Sequence, residues 1–598
     1  MKPLYDALLK YSGQAAAVFH MPGHKLGRGF IPRGAFDNPA GFDVTELNTT
    51  DDLHSPRGPL LEAQTLAARA FGAGRTWFLA NGSSCGIHAM IAANCRAGQK
   101  LLIARDFHYS AFNAMRFARV RPAFMPVSAR PGNVLSPGAA EAALSAHPDA
   151  AALYLTRPGY YGGVCDIAEI ARLAHRRGIP VLVDEAHGAH LAFSRRLPVS
   201  ALEGGADYCV QSAYKTLPAF TQCAYAHASN GALSKDGACA ERFSAALCAF
   251  QTSSPSFILT ASLDYAREFM EERGARELDR ILNQCERFYR EMEAAGYGVP
   301  DDIRGCAPHG GDDTGENGGG YSGGSDSGGD NNGVAGMRYG RDMTRLVLNT
   351  TRLGLSGADV ANLLWSRFKI MIEMSDPFHI IMISTVSDAD EDFALLKGAL
   401  AELASDHKRR PAPGRDDAAC ATPRGYGCGK HNDAPRALSP TPGDMTDSPA
   451  CCSAAQTYAT GTSSAGASGA PQSYIAPDFM DDLHASRRYA PLICAEGRTA
   501  ADLVVPYPPG IPLLCPGETI DAGAVREIGA LIALGTDVRG VYGAADVPAD
   551  GKDDVCNAAD APAADKSALF APDAATAFAS VSELSYDIYK ETYIAYRD

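Results

Sequence analysis

Two side chains that could carry covalent and acid–base chemistry follow two neighbouring apolar runs of the chain. Asp184 ends the run VLVD, and Lys215 stands in the stretch QSAYKTLPAF, just after the next run. A lysine amine can form a Schiff base with pyridoxal phosphate, while a carboxylate beside it keeps the pyridine nitrogen protonated, so that the ring accepts electrons. The alternatives are Lys215 as a solvated surface cation and Asp184 as the N-cap of a following helix.

The stretch ANGSSCGIHAM could hold the phosphate of such a cofactor. It follows the apolar run TWFLA and opens a helix, so Ser83 and Ser84 would present hydroxyls and amides at the positive helix end, while Gly82 lets the backbone approach closely. Ser212 could add a hydroxyl from the loop before Lys215. Gly-Ser turns are common, so this stretch indicates a phosphate site only in combination with Asp184 and Lys215.

His108, in the stretch RDFHYS, comes just after the apolar run KLLIA. An imidazole at this point could lie flat against a cofactor ring, although a lone histidine is more often structural. Because the acid, the lysine and the phosphate loop agree with one another, we favour the stacking role.

The elements that would position these residues alternate strand and helix along the first half of the chain. Short apolar runs bounded by polar turns suit strands buried on both faces, and amphipathic stretches such as DIAEIARLAHRRG lie between them. The pattern predicts an α/β fold with a mostly parallel sheet, in which ligands bind at the carboxyl ends of the strands. The predicted strands are Thr76–Ala80, Lys100–Ala104, Ala151–Leu155, Ile179–Asp184 and Ala206–Ser212.

The 598 residues exceed what one core normally holds, and five segments are predicted. A cofactor-binding large domain with the N-terminal segment covers residues 1–300, a small α+β domain covers 337–405, and a C-terminal domain covers 475–598. A Gly/Asp-rich flexible insertion (301–336) and a low-complexity linker (406–474) bury too little apolar surface to offset the entropy of ordering them. In the C-terminal domain, the prolines of VPYPPGIPLLCPGE predict extended chain, and a helix is predicted from Ala522 to Leu534.

Composition narrows the class of partner. The formal charge of −15 argues against a nucleic-acid or anionic-membrane surface, because either calls for clustered Lys and Arg. The N-terminus lacks the apolar region of a signal peptide, and no run approaches the ~18 to 20 apolar residues of a membrane helix. We therefore expect a cytoplasmic protein that acts on a small molecule. The 16 cysteines include no CxxC pair, and we predict no metal site.

Six stretches occur in an order that resembles one family. FHMPGHKLGRG, DDLHSPRGPLLEAQTLAARAFGA, NGSSCGIHAM, VLVDEAHGAH, SAYKTLPAFTQ and QTSSPS together are similar to the Orn/Lys/Arg decarboxylases, in their short bacterial form without an N-terminal wing domain. The resemblance is dense over residues 1–300 and thinner over 337–404 and 475–525. It implies a fold-type I, aspartate-aminotransferase-like large domain that binds pyridoxal 5'-phosphate, and a C-terminal decarboxylase domain.

The resemblance also implies a role for each site residue. Lys215 would form the Schiff base, Asp184 would bind the pyridine nitrogen, and His108 would stack on the ring. The remaining cofactor contacts would come from Ala186 and His187 on the other ring face, from Ser83, Ser84 and Ser212 at the phosphate beside Gly82, and from Thr252 and Ser253 near a dimer interface. A homodimer or higher homo-oligomer is implied.

Two positions depart from the family pattern. The residue before the Schiff-base lysine is often His and here is Tyr214, and the residue after the stacking histidine is often Lys and here is Tyr109. A phenol can donate one hydrogen bond but carries no charge near neutral pH. These departures leave the chemistry in place and bear on substrate choice and rate.

The resemblance implies α-decarboxylation of arginine, lysine or ornithine to an amine of the polyamine pathway, with Lys215 or His187 returning a proton to Cα. Candidate carboxylates for the distal cation of the substrate are Asp51, Asp52, Glu496 and Glu518. One alternative is an aminotransferase or aldolase of the same fold, since Arg341, Arg345 and Arg352 could bind a substrate carboxylate. Another is a cofactor-bound regulatory protein without catalysis.

Overall fold

The computed structural model describes most of the chain at residue level. The described ranges are 2–30, 34–47, 49–128, 134–301, 340–408, 488–507, 509–533, 536–543 and 592–597. The predicted insertion beyond residue 301 and the predicted linker beyond residue 408 lie outside them, and the division of the chain into five segments stays a prediction.

A seven-stranded sheet forms the centre of the large domain. In the order β1-β7-β6-β5-β4-β2-β3, all neighbours are parallel except β7, which runs antiparallel to β1 and β6. The predicted mostly parallel α/β sheet is therefore confirmed. The strands are β1 (Arg75–Leu79), β2 (Lys100–Ala104), β3 (Arg121–Met125), β4 (Ala150–Thr156), β5 (Val181–Asp184), β6 (Tyr208–Gln211) and β7 (Ala224–Ala228).

Helices cover both faces of this sheet. Along β2, Leu101 and Ile103 belong to one apolar core and Leu102 and Ala104 to the other, as expected of a strand buried on both sides. The helices of this part of the chain are Pro3–Gln14, Pro59–Phe71, Gly82–Asn94, Tyr109–Ala118, Pro137–Ala146, Ile167–His175, Ala213–Thr216, Asn230–Lys235, Gly237–Phe250, Phe257–Phe269 and Ala275–Ala295.

The small domain has the elements that its sequence predicts. Strands Arg345–Asn349 and His379–Ile383 pair antiparallel, and Met374–Ser375 extends the sheet. Helix Gly357–Phe368 begins at a capping box, in which Ser356 and Asp359 satisfy each other's backbone N–H groups. The other elements are strands Gly340–Arg341 and Ile370–Ile372 and helix Asp390–Lys408. Ile370–Ile372 pairs with Ala17–Phe19, which attaches the N-terminal segment to this domain.

The C-terminal part contacts the large domain next to His108. The Arg105 guanidinium donates to the Pro512 carbonyl at 2.8 Å and the Leu513 carbonyl at 3.1 Å, and it forms an ion pair with Glu518. The predicted helix is observed at Ala522–Ala533. The strands are Arg488–Pro491, Thr499–Ala500, Val505–Tyr507, Asp537–Arg539, Val541–Gly543 and Thr592–Arg597.

Two absences hold for the described ranges. None of their helices is long and apolar enough to cross a membrane. They also contain no group of three or more His, Cys, Asp or Glu placed to bind a metal ion.

Candidate active site

The acid and the lysine lie at the same edge of the sheet. Strands β5 and β6 are parallel neighbours, with Asp184 opposite Val210. Asp184 ends β5, and Lys215 lies in the short helix Ala213–Thr216, directly after β6. The two side chains therefore project from the carboxyl ends of adjacent strands, where open α/β sheets bind their ligands.

A buried arginine and histidine determine the state of the Lys215 amine. Arg345 Nη2 lies 2.6 Å from His187 Nδ1, and His187 Nε2 lies 3.1 Å from Lys215 Nζ. A guanidinium can only donate, so Nδ1 accepts and neutral His187 carries its proton on Nε2. That N–H then points at Lys215 Nζ, which can accept it only as a neutral amine.

The electrostatics shift the equilibrium towards the neutral amine as well. Burial lowers the pKa of Lys215 to about 8, the charge of Arg345 acts in the same direction, and Asp184 and Glu373 oppose it. Burial also holds the pKa of His187 well below its usual value, with the charges of Lys215 and Arg345 adding to the effect. Lys215 is thus prepared as a nucleophile near neutral pH.

Asp184 is a buried carboxylate without a cation bonded to it. Its oxygens accept hydrogen bonds from the Ala186 N–H at 3.1 Å and from the Tyr154 hydroxyl at 3.2 Å. No helix begins directly after it, so it is not an N-cap. Burial raises its pKa, partly offset by the charge of Lys215. A protonated ring nitrogen is the kind of partner that would stabilise this carboxylate.

His108 caps helix Tyr109–Ala118, since its Nδ1 accepts from the Ser110 N–H at 3.2 Å. Burial lowers its pKa to about 3, and the imidazole is neutral. Gly510 of the C-terminal part packs against it, and its carbonyl accepts from the Tyr109 N–H at 3.0 Å. A Cβ at Gly510 would lie 3.0 Å from His108 Cδ2. A structural role and a stacking role are compatible at this position.

The predicted phosphate loop opens helix Gly82–Asn94. Gly82 has a φ of +78°, a conformation that favours glycine. The Ser212 hydroxyl donates to the Ser83 hydroxyl at 2.8 Å, which joins the loop to the strand end that carries Lys215. Ser84 lies half-buried in the first turn.

The predicted interface residues lie beside this loop. Thr252 N–H donates to the side chain of Asn81, which precedes the helix, whereas Ser253 is exposed. The donor set fits pyridoxal phosphate: hydroxyls and a helix N-terminus for the phosphate, a buried carboxylate for the ring nitrogen, and a neutral amine for the aldehyde.

The four carboxylates predicted for the substrate cation have other surroundings. Asp51 accepts several backbone N–H groups, including those of Arg57 and Gly58, and Asp52 accepts from the His54 N–H. Glu518 pairs with Arg105, and Glu496 is exposed. These contacts engage Asp51 and Asp52 in loop structure and Glu518 at the contact between the C-terminal part and the large domain.

The local sequence only weakly indicates that three residues belong to the site. Tyr154 lies inside a predicted strand, and Arg345 was one of three equivalent arginines. Of those three, Arg352 is exposed and Arg341 binds the Tyr161 carbonyl. Glu373 stands in the apolar stretch KIMIEMS, and an acid within an apolar run is the signal that could have identified it.

Comparisons with known proteins place the chain in one family. The family model for the Orn/Lys/Arg decarboxylase major domain matches residues 2–392, and the model for the C-terminal domain matches 479–535. An arginine decarboxylase of Bacillus subtilis (strain 168) is 31% identical over 548 residues, covering 90% of this chain and 95% of the relative. The crystal structure of the Francisella novicida lysine decarboxylase LdcF superimposes with a TM-score of 0.60 at 17% identity, over 92% of this chain and 80% of that one. The structural likeness shows the fold.

Proposed function

Because the chain belongs to the Orn/Lys/Arg decarboxylase family, whose members are pyridoxal-phosphate enzymes of fold type I, we propose that it removes the α-carboxylate of arginine and releases the corresponding amine into the polyamine pathway. The decarboxylation of a basic amino acid follows from the family. Arginine is proposed as the substrate because relatives with 31% identity over 90% of the chain are named arginine decarboxylases.

The observation that carries the chemistry is the chain of contacts from Arg345 through His187 to Lys215. When bound, pyridoxal phosphate supplies the electron sink for the bond that breaks. Asp184 holds the positive charge of the ring nitrogen. His187 keeps a proton on Nε2, 3.1 Å from Lys215 Nζ, so the pair can deliver a proton to Cα of the substrate.

Two small residues pack beside the proposed site residues. Gly510 covers one side of His108, and Ala186 is buried next to Asp184. We assign the phosphate to Ser83, Ser84 and Ser212. Asp184 and His187 are buried, so their interactions are screened less than those of surface groups.

An aminotransferase is the second candidate, and one feature supports it. Nε and Nη1 of buried Arg345 have no hydrogen-bond partner among the described residues. They could hold a substrate carboxylate, although Nη2 is already bound to His187. Carbon dioxide release and amino transfer to a 2-oxo acid are separate assays, so a pair of measurements distinguishes the two activities.

We further propose a homodimer in the cytoplasm, with Thr252 and Ser253 near the partner. Sedimentation equilibrium of the full chain measures the assembly directly. A monomer with full decarboxylase activity would refute the dimeric site.

The test of the function is a screen of arginine, lysine and ornithine with the purified holoenzyme, with identification of the amine formed. We expect Lys215→Ala to abolish turnover and the absorbance of the lysine-bound cofactor, because the variant lacks the only proposed nucleophile. Lys235→Ala, at an exposed lysine, is the matched control and should retain both. Turnover by Lys215→Ala at the wild-type rate would overturn the assignment.

A further inference from the structure

Glu373 connects three parts of the chain beside the reactive amine. It stands between strands Ile370–Ile372 and Met374–Ser375 of the small domain. Its Oε2 accepts from the Met21 N–H at 3.0 Å, and its Oε1 accepts from the Tyr160 hydroxyl. The N-terminal segment and the loop after β4 thereby hold the carboxylate in one orientation.

Tyr160 links this carboxylate to the site. Its ring centroid lies 5.0 Å from that of His187, which contacts Lys215 Nζ. The negative charge of Glu373 acts to raise the pKa of both Lys215 and Arg345, against the larger effect of burial. Contacts of this kind connect Glu373 to His187 and Lys215. The contacts described for Asp51, Asp52, Glu496 and Glu518 make no such connection.

The carboxylate also has capacity left. Each carboxylate oxygen can accept two hydrogen bonds, and one is used at each oxygen of Glu373. Its side chain is half-buried, and within the described ranges no arginine, lysine or histidine lies close enough to form an ion pair with it. A partly desolvated carboxylate in this state gains from an incoming cation with N–H donors.

Phenols line the same region. Burial raises the pKa of Tyr214 to about 12, and the negative charges that Tyr507, Glu373 and Tyr109 can carry contribute to that rise. The Arg539 guanidinium lies 3.9 Å from the Tyr507 ring centroid, so this face of the ring is occupied by a cation of the chain itself. A neutral phenol at residue 214, unlike a histidine, adds no positive charge that would repel a cationic substrate.

We propose that Glu373 binds the distal guanidinium or ammonium group of the substrate, with Tyr160 orienting the carboxylate and Tyr214 beside it. The inference rests on the proposed function, since it assumes that the substrate is a basic amino acid. It identifies Glu373 as the residue that makes the site prefer basic amino acids.

Glu373→Gln is the direct test, because the amide keeps the shape of the side chain and one acceptor oxygen, loses the charge, and replaces the other oxygen with an NH2 donor. We expect KM for arginine to rise at least about tenfold, the range of a lost hydrogen bond to a charged group, with a smaller change in kcat. The inhibition constant of norleucine, which lacks a distal charge, should stay unchanged. Binding of the amine product to the holoenzyme, measured by calorimetry, should weaken by a similar factor.

Asp376→Asn is the matched control. Asp376 lies three residues after Glu373 and accepts from the Tyr161 hydroxyl at 2.7 Å. It therefore forms a carboxylate–tyrosine pair similar to that of Glu373 with Tyr160. We expect it to leave KM near the wild-type value. Tyr160→Phe removes the phenol and keeps the charge of Glu373, and it should raise KM less than Glu373→Gln.

The outcomes separate the two proposals. If the wild-type enzyme decarboxylates no basic amino acid, the proposed function fails. If the wild-type enzyme is active and Glu373→Gln keeps its KM and product affinity, the assignment of Glu373 alone fails. If Glu373→Gln weakens the binding of arginine and norleucine equally, Glu373 only maintains the structure of the site. That result would also overturn the assignment. Glu373→Asp, which restores the charge, should recover part of the affinity if the first variant folds poorly.

Discussion

The contact of Arg345 with His187 predicts a measurable change in the Lys215 amine for the variant Arg345→Gln. Burial lowers the pKa of Lys215 from 10.5 to about 8, and the charge of Arg345 adds to this effect. A difference of this size corresponds to about 3 kcal/mol between the two protonation states. At pH 7 about one amine in ten is then neutral, against about one in three thousand for an ordinary lysine.

Removing the guanidinium removes a cause that lowers this pKa, so the pKa of Lys215 should rise. Only the neutral amine attacks an aldehyde. Each unit of increase therefore lowers the reactive fraction about tenfold at pH values below the wild-type pKa, while the two proteins converge once both amines are neutral. The variant also allows neutral His187 to carry its proton on Nδ1, which ends the directed hydrogen bond to Lys215 Nζ.

The assay is the rate at which cofactor-free protein binds added pyridoxal phosphate covalently, followed by visible absorbance as a function of pH. We expect the midpoint of the rate profile to move to higher pH in Arg345→Gln and to stay in place in Arg352→Gln, which changes an exposed arginine of the same domain. Nitrogen-15 chemical shifts of His187 report its tautomer independently. A midpoint that is unchanged or moves to lower pH would refute the proposed role of Arg345.

Two further predictions concern residues next to the site. Burial raises the pKa of Asp106 to about 7, above its unfolded value of 3.8, so the folded state binds the proton more tightly and loses stability as the pH rises from about 4 to 7. Asp106→Asn should remove a penalty of roughly 4 kcal/mol above pH 7 and none below pH 4, so a pH-independent difference in urea unfolding between variant and wild type would contradict it. Gly510→Ala should weaken cofactor binding, because its φ is +83° and a Cβ would press on His108. Gly497→Ala has a similar φ of +81° with nothing within 4 Å, so equal cofactor dissociation constants in the two variants would exclude an effect through His108.

Five of the seven strands of the central sheet were predictable from the sequence, and the other two were not. The run KLLIA matches β2 residue for residue, and Asp184 ends β5 as predicted. Strand Arg121–Met125 was missed because Pro122 reads as a break, but this strand lies at the sheet edge, where proline is tolerated. Strand Ala224–Ala228 was missed because AYAHA has no β-branched residue. There the neighbouring strands on both sides outweigh the weak local preference.

The site residues also fall into two groups: those that a local sequence pattern predicts and those that it does not. Lys215, Asp184 and the serine loop each follow an apolar run, so a local pattern marks them. Arg345 and His187 are 158 residues apart, and Glu373 and Met21 are 352 residues apart. Contacts of this sequence separation depend on how the domains dock, which no local periodicity encodes.

The contact between the C-terminal part and the large domain has a consequence for the chain that joins them. It is made by Arg105 and the Tyr109 backbone on one side and by residues 510–518 on the other. Neither side includes residues of the predicted linker (406–474). Doubling a flexible tether costs only about 0.6 kcal/mol in closure entropy. We therefore expect insertions into the predicted linker to leave the contact of Gly510 with His108 in place.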